Sequence, residues 1–246
     1  MRRFLFFVLA ISFGILNACN FRENTMEGQM DTHKPLCLPE SPLIFSKQDE
    51  EENLAGKLQE QAAGMMVQIV AEGLLGSGVI YEADEDKLYI ATAGHVLHKA
   101  EETVWITFVD GLSVLSSEYW RMEQEDLAFI AVPLTSIPKE SLKQYYKVNI
   151  DKESFDKIKA KDRVIAMGSK TGVAKEAYEG RLVENWVYVE SFQQYMMLAN
   201  VELSEGMSGG GLYDSQGHFL GVLCGKNEDG EVAVLPLSVL QAAFEL

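Results

Sequence analysis

The chain has 246 residues, 47% of them hydrophobic, enough to bury one large core or two smaller packed units and incompatible with disorder throughout. Thirty-seven acidic residues against 21 basic ones give a formal charge of −16, and no cluster of cations stands out, so neither nucleic acid nor anionic lipid is expected as a partner. Three cysteines are too few for a disulfide framework, and no spacing of Cys and His points to a metal or a cofactor.

At the start of the chain, Arg2 and Arg3 precede an apolar run over residues 4–16, too short to span a bilayer comfortably and the right length for a signal-peptide core. Residues 1–18 are therefore expected to be an export signal. The run ends in Leu16-Asn17-Ala18-Cys19, which resembles the lipobox of bacterial lipoproteins, although Asn17 is uncommon within that pattern. Two outcomes stay open: lipidation of Cys19, giving a membrane anchor, or simple cleavage after Ala18. Either removes two arginines and takes the formal charge from −16 to −18. The expected destination is the periplasm or the cell surface. If Cys19 is modified, Cys37 and Cys224 are left, and the sequence does not say whether they pair.

Residues 19–57 read as a flexible linker, with Pro35, Pro39 and Pro42 followed by the acidic run Asp49-Glu50-Glu51-Glu52. The folded body is expected over 58–246. A short helix over 54–63 enters a first strand at 65–70, and a hairpin pairs 78–81 with 87–92 around Asp84-Glu85-Asp86. Further strand candidates are 104–109, 126–132, 163–167, 180–183, 187–189, 196–203, 211–213, 219–223 and 232–234. So many short strands without alternating helices indicate an all-β body of barrels or sandwiches rather than a parallel α/β sheet. A closing helix is predicted over 236–246, from the Pro236-Leu237-Ser238 start and the apolar spacing that follows.

Three of these segments belong together chemically. Thr92-Ala93-Gly94-His95 sets a histidine just past a strand, and Glu125-Asp126-Leu127 sets an aspartate at the head of another. Gly206-Met207-Ser208-Gly209-Gly210-Gly211 encloses one serine in glycines that free the backbone to turn consecutive N–H groups toward one point. A serine hydroxyl needs a neighbour to take its proton, imidazole has a suitable pKa, and a carboxylate behind the ring fixes its tautomer. Each residue alone has an ordinary structural explanation, and His33, His98 and His218 are assigned only that. The order His, Asp, Ser on a β-rich background is harder to attribute to chance.

On Gly76-Ser77-Gly78-Val79-Ile80, Thr92-Ala93-Gly94-His95, Asp126-Leu127-Ala128, Ile165-Ala166-Met167-Gly168 and Gly206-Met207-Ser208-Gly209-Gly210, residues 60–246 resemble the chymotrypsin-like serine proteases. The similarity is to the bacterial branch holding the HtrA/DegP proteases and glutamyl endopeptidases. It implies two antiparallel six-stranded β-barrels, the first over about 60–135 and the second over about 160–235, with the cleft between them. It also implies His95 as general base, Asp126 as its orienter, Ser208 as nucleophile, and the N–H groups of Gly206 and Ser208 as the oxyanion hole. A protein or peptide substrate follows; the oligomeric state does not.

The family's pattern also places Cys224 beside Asp126 as a free thiol, and Glu202 at the floor of the primary specificity pocket, where it would favour Lys or Arg unless Lys226 on the opposite wall cancels it. Met207 stands where digestive zymogens carry an aspartate, so activation by a new N-terminus is not expected, and no PDZ-like segment is expected after the barrels. Two other readings fit parts of the pattern. Gly206-x-Ser208-x-Gly210 fits a nucleophile elbow, but that fold needs a later acid and histidine and alternating helices. A catalytically silent protein of the same fold, binding a partner in its cleft, is the remaining alternative.

Overall fold

A computed structural model describes residues 38–41, 54–61, 63–122, 124–171 and 174–245. The expected signal peptide, Cys19, His33, Cys37 and the acidic run at 49–52 lie outside the described residues. Helix α1 (Leu54–Gln61) leads through a short 3₁₀ turn into the first sheet.

That sheet holds β1 (Met66–Ala71), β2 (Leu74–Ala83), β3 (Lys87–Thr92), β4 (Val104–Thr107), β5 (Ser113–Ser116), β6 (Tyr119–Arg121) and β7 (Ala128–Pro133), in the order β5-β4-β1-β2-β3-β7-β6. The turns explain the hairpins. Ala71 pairs with Leu74 across Glu72-Gly73, whose φ values of 45° and 79° match the right-handed twist of two-residue hairpins. At the next turn Asp84 Oδ1 accepts the N–H groups of Asp86 and Lys87 at 2.7 and 2.8 Å, closing the loop with its own side chain. The sheet then curls: Ser116 Oγ donates to the Ala131 carbonyl at 2.7 Å, and Ala131 N donates to Glu118 O at 2.9 Å. Those bonds bring the end of β5 back onto β7.

The second unit comprises β8 (Arg163–Thr171), β9 (Ala174–Val189), β10 (Gln194–Asn200), β11 (Gly211–Asp214), β12 (Phe219–Lys226) and β13 (Val232–Pro236). They form a closed antiparallel barrel in the order β10-β13-β12-β11-β8-β9. Two short helices lie on the connection between the sheets, α2 (Lys139–Leu142) and α3 (Lys152–Lys157), the latter capped by Asp151 accepting Glu153 N at 2.8 Å. Helix α4 (Leu237–Phe244) follows β13 directly and buries Leu237, Leu240 and Ala243. Its last residue, Phe244, packs edge-on against Tyr81 and Tyr89 and tilted on Phe129, with ring centroids 5.2, 5.3 and 5.2 Å apart. The final helix therefore runs from the second barrel onto the first sheet.

The all-β, two-sheet architecture with a closing helix agrees with the sequence. The first sheet differs in detail, having seven strands and closure through side-chain and single backbone bonds instead of a full ladder. The linker expectation fails over residues 38–41. Leu38 is buried, Ser41 N donates to Lys147 O at 2.8 Å, and Asn149 Nδ2 donates to Ser41 O at 3.1 Å, because the extended backbone finds partners there and Leu38 leaves water.

Candidate active site

His95 sits in the 3₁₀ turn Gly94–Leu97 that follows β3. The next two side chains, Val96 and Leu97, are buried and anchor the turn, while the His95 side chain stays about half exposed at 47%. Asp126, just ahead of β7, grips this residue twice. Its Oδ1 accepts the His95 backbone N–H at 2.8 Å, and its Oδ2 lies 2.8 Å from His95 Nδ1. With Nδ1–H donated to a carboxylate, Nε2 is left as the proton acceptor. Burial pushes the Asp126 carboxyl up, but the hydrogen bonds and charge of His95 and the Cys224 thiol outweigh it and hold the group below the ordinary carboxylate value.

Cys224, near the end of β12, is a free, buried thiol whose Sγ lies 3.8 Å from the Asp126 carbonyl. Burial first, then the Asp126 charge, raises its pKa well above the usual thiol value, so it remains protonated and can donate.

The Ser208 loop is seated by its glycines. Gly206 and Gly209 take φ of 85° and 86°, the left-handed region that side chains disfavour. A Cβ on Gly209 would stand 2.1 Å from both Ser77 O and Thr92 Oγ1, so the loop touches the strand that leads to His95. Met207 is fully buried beneath it, and Gly209 N donates to Leu223 O at 2.7 Å.

Ser77 holds this junction together. Buried in β2, it donates through Oγ to Gly206 O at 2.7 Å and accepts Ser169 N on the same oxygen at 2.7 Å. Its backbone N–H donates to Ser208 O at 2.7 Å, and its carbonyl accepts Thr92 Oγ1 at 2.7 Å. One residue of the first sheet is thus bonded to the serine loop, to β8 of the second barrel and to the strand that carries the histidine. The motif Gly76-Ser77-Gly78 assigns Ser77 no role by sequence; its position between two glycines is the only local signal of one.

Ser208 Oγ points toward Cys224 O, 3.5 Å away, and among the described residues it makes no hydrogen bond to His95. Among the same residues, the backbone N–H groups of Gly206 and Ser208 have no protein acceptor. A cavity of about 670 Å³ opens beside the histidine, lined by His95, His98, Tyr119, Arg121, Glu125 and Asp126. Glu202 and Lys226 are both exposed and form no ion pair with each other among the described residues. His98 is exposed, whereas His218 is buried with Nδ1 2.8 Å from Asp214 Oδ2, a satisfied structural histidine. No group of His, Cys, Asp and Glu among the described residues is arranged to hold a metal.

A curled β-sheet and a closed β-barrel, meeting where a histidine–aspartate pair faces a glycine-bound serine loop, define the trypsin-like double-barrel class. Residues 76–222 match the trypsin-like peptidase domain, and the chain belongs to that family. No curated protein matches it in sequence. Among solved structures it resembles the HtrA-type protease AlgW with a tripeptide at 20% identity and TM-score 0.64, over 79% of this chain and 63% of that one. AlgW with a decapeptide gives 17% identity and TM-score 0.62, over 79% and 67%. The chain thus spans about 63% of the length of the first of these.

Proposed function

We propose that the protein is an exported serine endopeptidase in which Ser208 attacks the peptide carbonyl, His95 Nε2 takes the hydroxyl proton and returns it to the leaving amine, and Asp126 orients the ring. The N–H groups of Gly206 and Ser208 stabilise the oxyanion. The observation that carries this reading is the double grip of Asp126 on His95, with Ser77 bonding the serine loop to the same sheet. Engagement requires the Ser208 hydroxyl, now 3.5 Å from Cys224 O, to turn to His95 Nε2. Family membership and the tripeptide and decapeptide present in the AlgW structures support a protein or peptide substrate. Residues 1–18 supply the export signal, with Cys19 as the lipid-modified residue. Glu202 and Lys226 contact the residue at the cleaved position, Glu202 favouring Lys or Arg; a peptide library cleaved without basic preference removes that assignment.

The test is labelling with a fluorophosphonate together with hydrolysis of an unfolded protein substrate. The native protein is expected to react at Ser208, and Ser208→Ala to lose both labelling and at least about 10³-fold in rate with the fold retained. A folded native protein that neither labels nor cleaves overturns the peptidase and leaves a silent binder in the same fold.

A further inference from the structure

Next to the cavity at His95 lies a second, apolar opening of about 390 Å³. It runs between Trp186 of β9 and the residues Val239, Ala242 and Ala243 of α4, and Met122 and Glu125 complete its wall. Those last two residues also line the cavity that holds His95 and Asp126, so the two openings share a wall. Glu125 is the one charged group in the lining, which therefore offers apolar contact and little hydrogen bonding.

Trp186 also belongs to an aromatic platform. It is 51% exposed and stacks on Tyr195, equally exposed, with centroids 5.5 Å apart and ring planes 9° from parallel. Tyr195 in turn meets Tyr188 edge-on at 5.5 Å. Strand pairing puts them together: Tyr188 and Tyr195 are cross-strand partners, and Trp186 stands two residues from Tyr188, on the same face of β9. Large rings left in water on one face mark an interaction surface. Because they already brace one another, little side-chain freedom remains to be lost on binding.

We propose that this groove and platform hold an apolar side chain of the substrate polypeptide, at a position outside the residues that flank the cleaved bond. The proposal rests on the peptidase reading. Continuity identifies the occupant: a polypeptide threaded through the cavity at His95 passes the wall of Met122 and Glu125 and meets the groove without leaving the surface. An extended chain advances about 3.3 Å per residue, so the contact is open to long substrates and closed to very short ones. Binding made equally in the ground and transition states is seen in KM.

The experiment compares β-casein, an unfolded apolar protein, with a peptide trimmed to two residues on either side of one of its cleavage sites, at physiological ionic strength. Two variants are used, Trp186→Ala and Ala242→Arg; the second sets a bulky charge in the groove from an exposed position in the last turn of α4, where a cation suits the helix. Each is expected to raise KM for β-casein about tenfold, with kcat, cleavage of the trimmed peptide and fluorophosphonate labelling of Ser208 unchanged. Binding is measured separately in Ser208→Ala, whose affinity for β-casein should fall about tenfold when Trp186→Ala is added. Equal losses on both substrates, or no loss on either, overturn the groove and leave the peptidase standing. A native protein that neither labels nor cleaves removes the peptidase reading instead, and β-casein binding weakened by Trp186→Ala then keeps the groove as a polypeptide site. A dimer that Trp186→Ala dissociates assigns the face to a second copy of the chain and overturns the proposal.

Discussion

At the scale of single residues, the Cys224 thiol lies buried against Asp126, and its raised pKa makes it a donor rather than a nucleophile. In the native protein Cys224 should therefore resist thiol reagents near neutral pH and react only after unfolding; rapid native labelling at this position contradicts the placement. Cys224→Ser keeps a donor beside Asp126 and is expected to retain activity, while Cys224→Ala removes it and should lower kcat more than it raises KM. His95 and Asp126 were legible in the sequence because each sits in a short motif beside an apolar strand. Ser77 was not, since its work is done by bonds to Gly206, Ser208 and Ser169, residues from 92 to 131 positions away. Ser77→Ala is expected to leave the His95–Asp126 pair intact and to cut activity by about tenfold or more through a looser serine loop, measured as kcat/KM beside an unchanged far-ultraviolet spectrum.

Among the elements, long apolar strands were read correctly from pattern, and the misses have physical causes. β5 and β6 are four and three residues long and carry no full alternation, so only tertiary pairing with β4 and β7 makes them strands. β9 was read as two pieces, broken at Glu184-Asn185-Trp186. Its 16 residues run unbroken because the irregularity is taken up as bulges in β9 itself, where the five steps from Val187 to Leu182 lie opposite only three, Met196 to Ala199, in β10. The closing helix was found from its Pro/Ser start, but its partner was not, because an aromatic contact between residue 244 and the first sheet has no local signature. Phe244→Ala is expected to destabilise the fold by about 2–3 kcal/mol, discounted from a fully buried aromatic because the ring is partly exposed, and to lower Tm by roughly 5–10 °C. A Tm within a degree of the native value contradicts the clasp.

Over the whole molecule, acid sensitivity follows from the carboxylates. Asp84, Asp110, Asp126 and Asp151 all sit below their ordinary value, Asp126 by the His95 bonds against its burial, Asp84 first by the Tyr89 hydroxyl. A depressed folded-state pKa contributes stability above the unfolded value and loses it as pH falls through the folded one. Stability should thus hold at neutral pH and decline below about pH 4, with the exposed Asp84 and Asp151 adding least. A urea midpoint unchanged between pH 6 and pH 3 contradicts this.

The placement of Phe244 also orders events in time. Ribosomes deliver the front sheet first, yet the ring that fills the gap among Tyr81, Tyr89 and Phe129 emerges only after the second barrel. A nascent chain therefore carries an unfinished first half until α4 has emerged, and the cleft cannot mature before that helix docks.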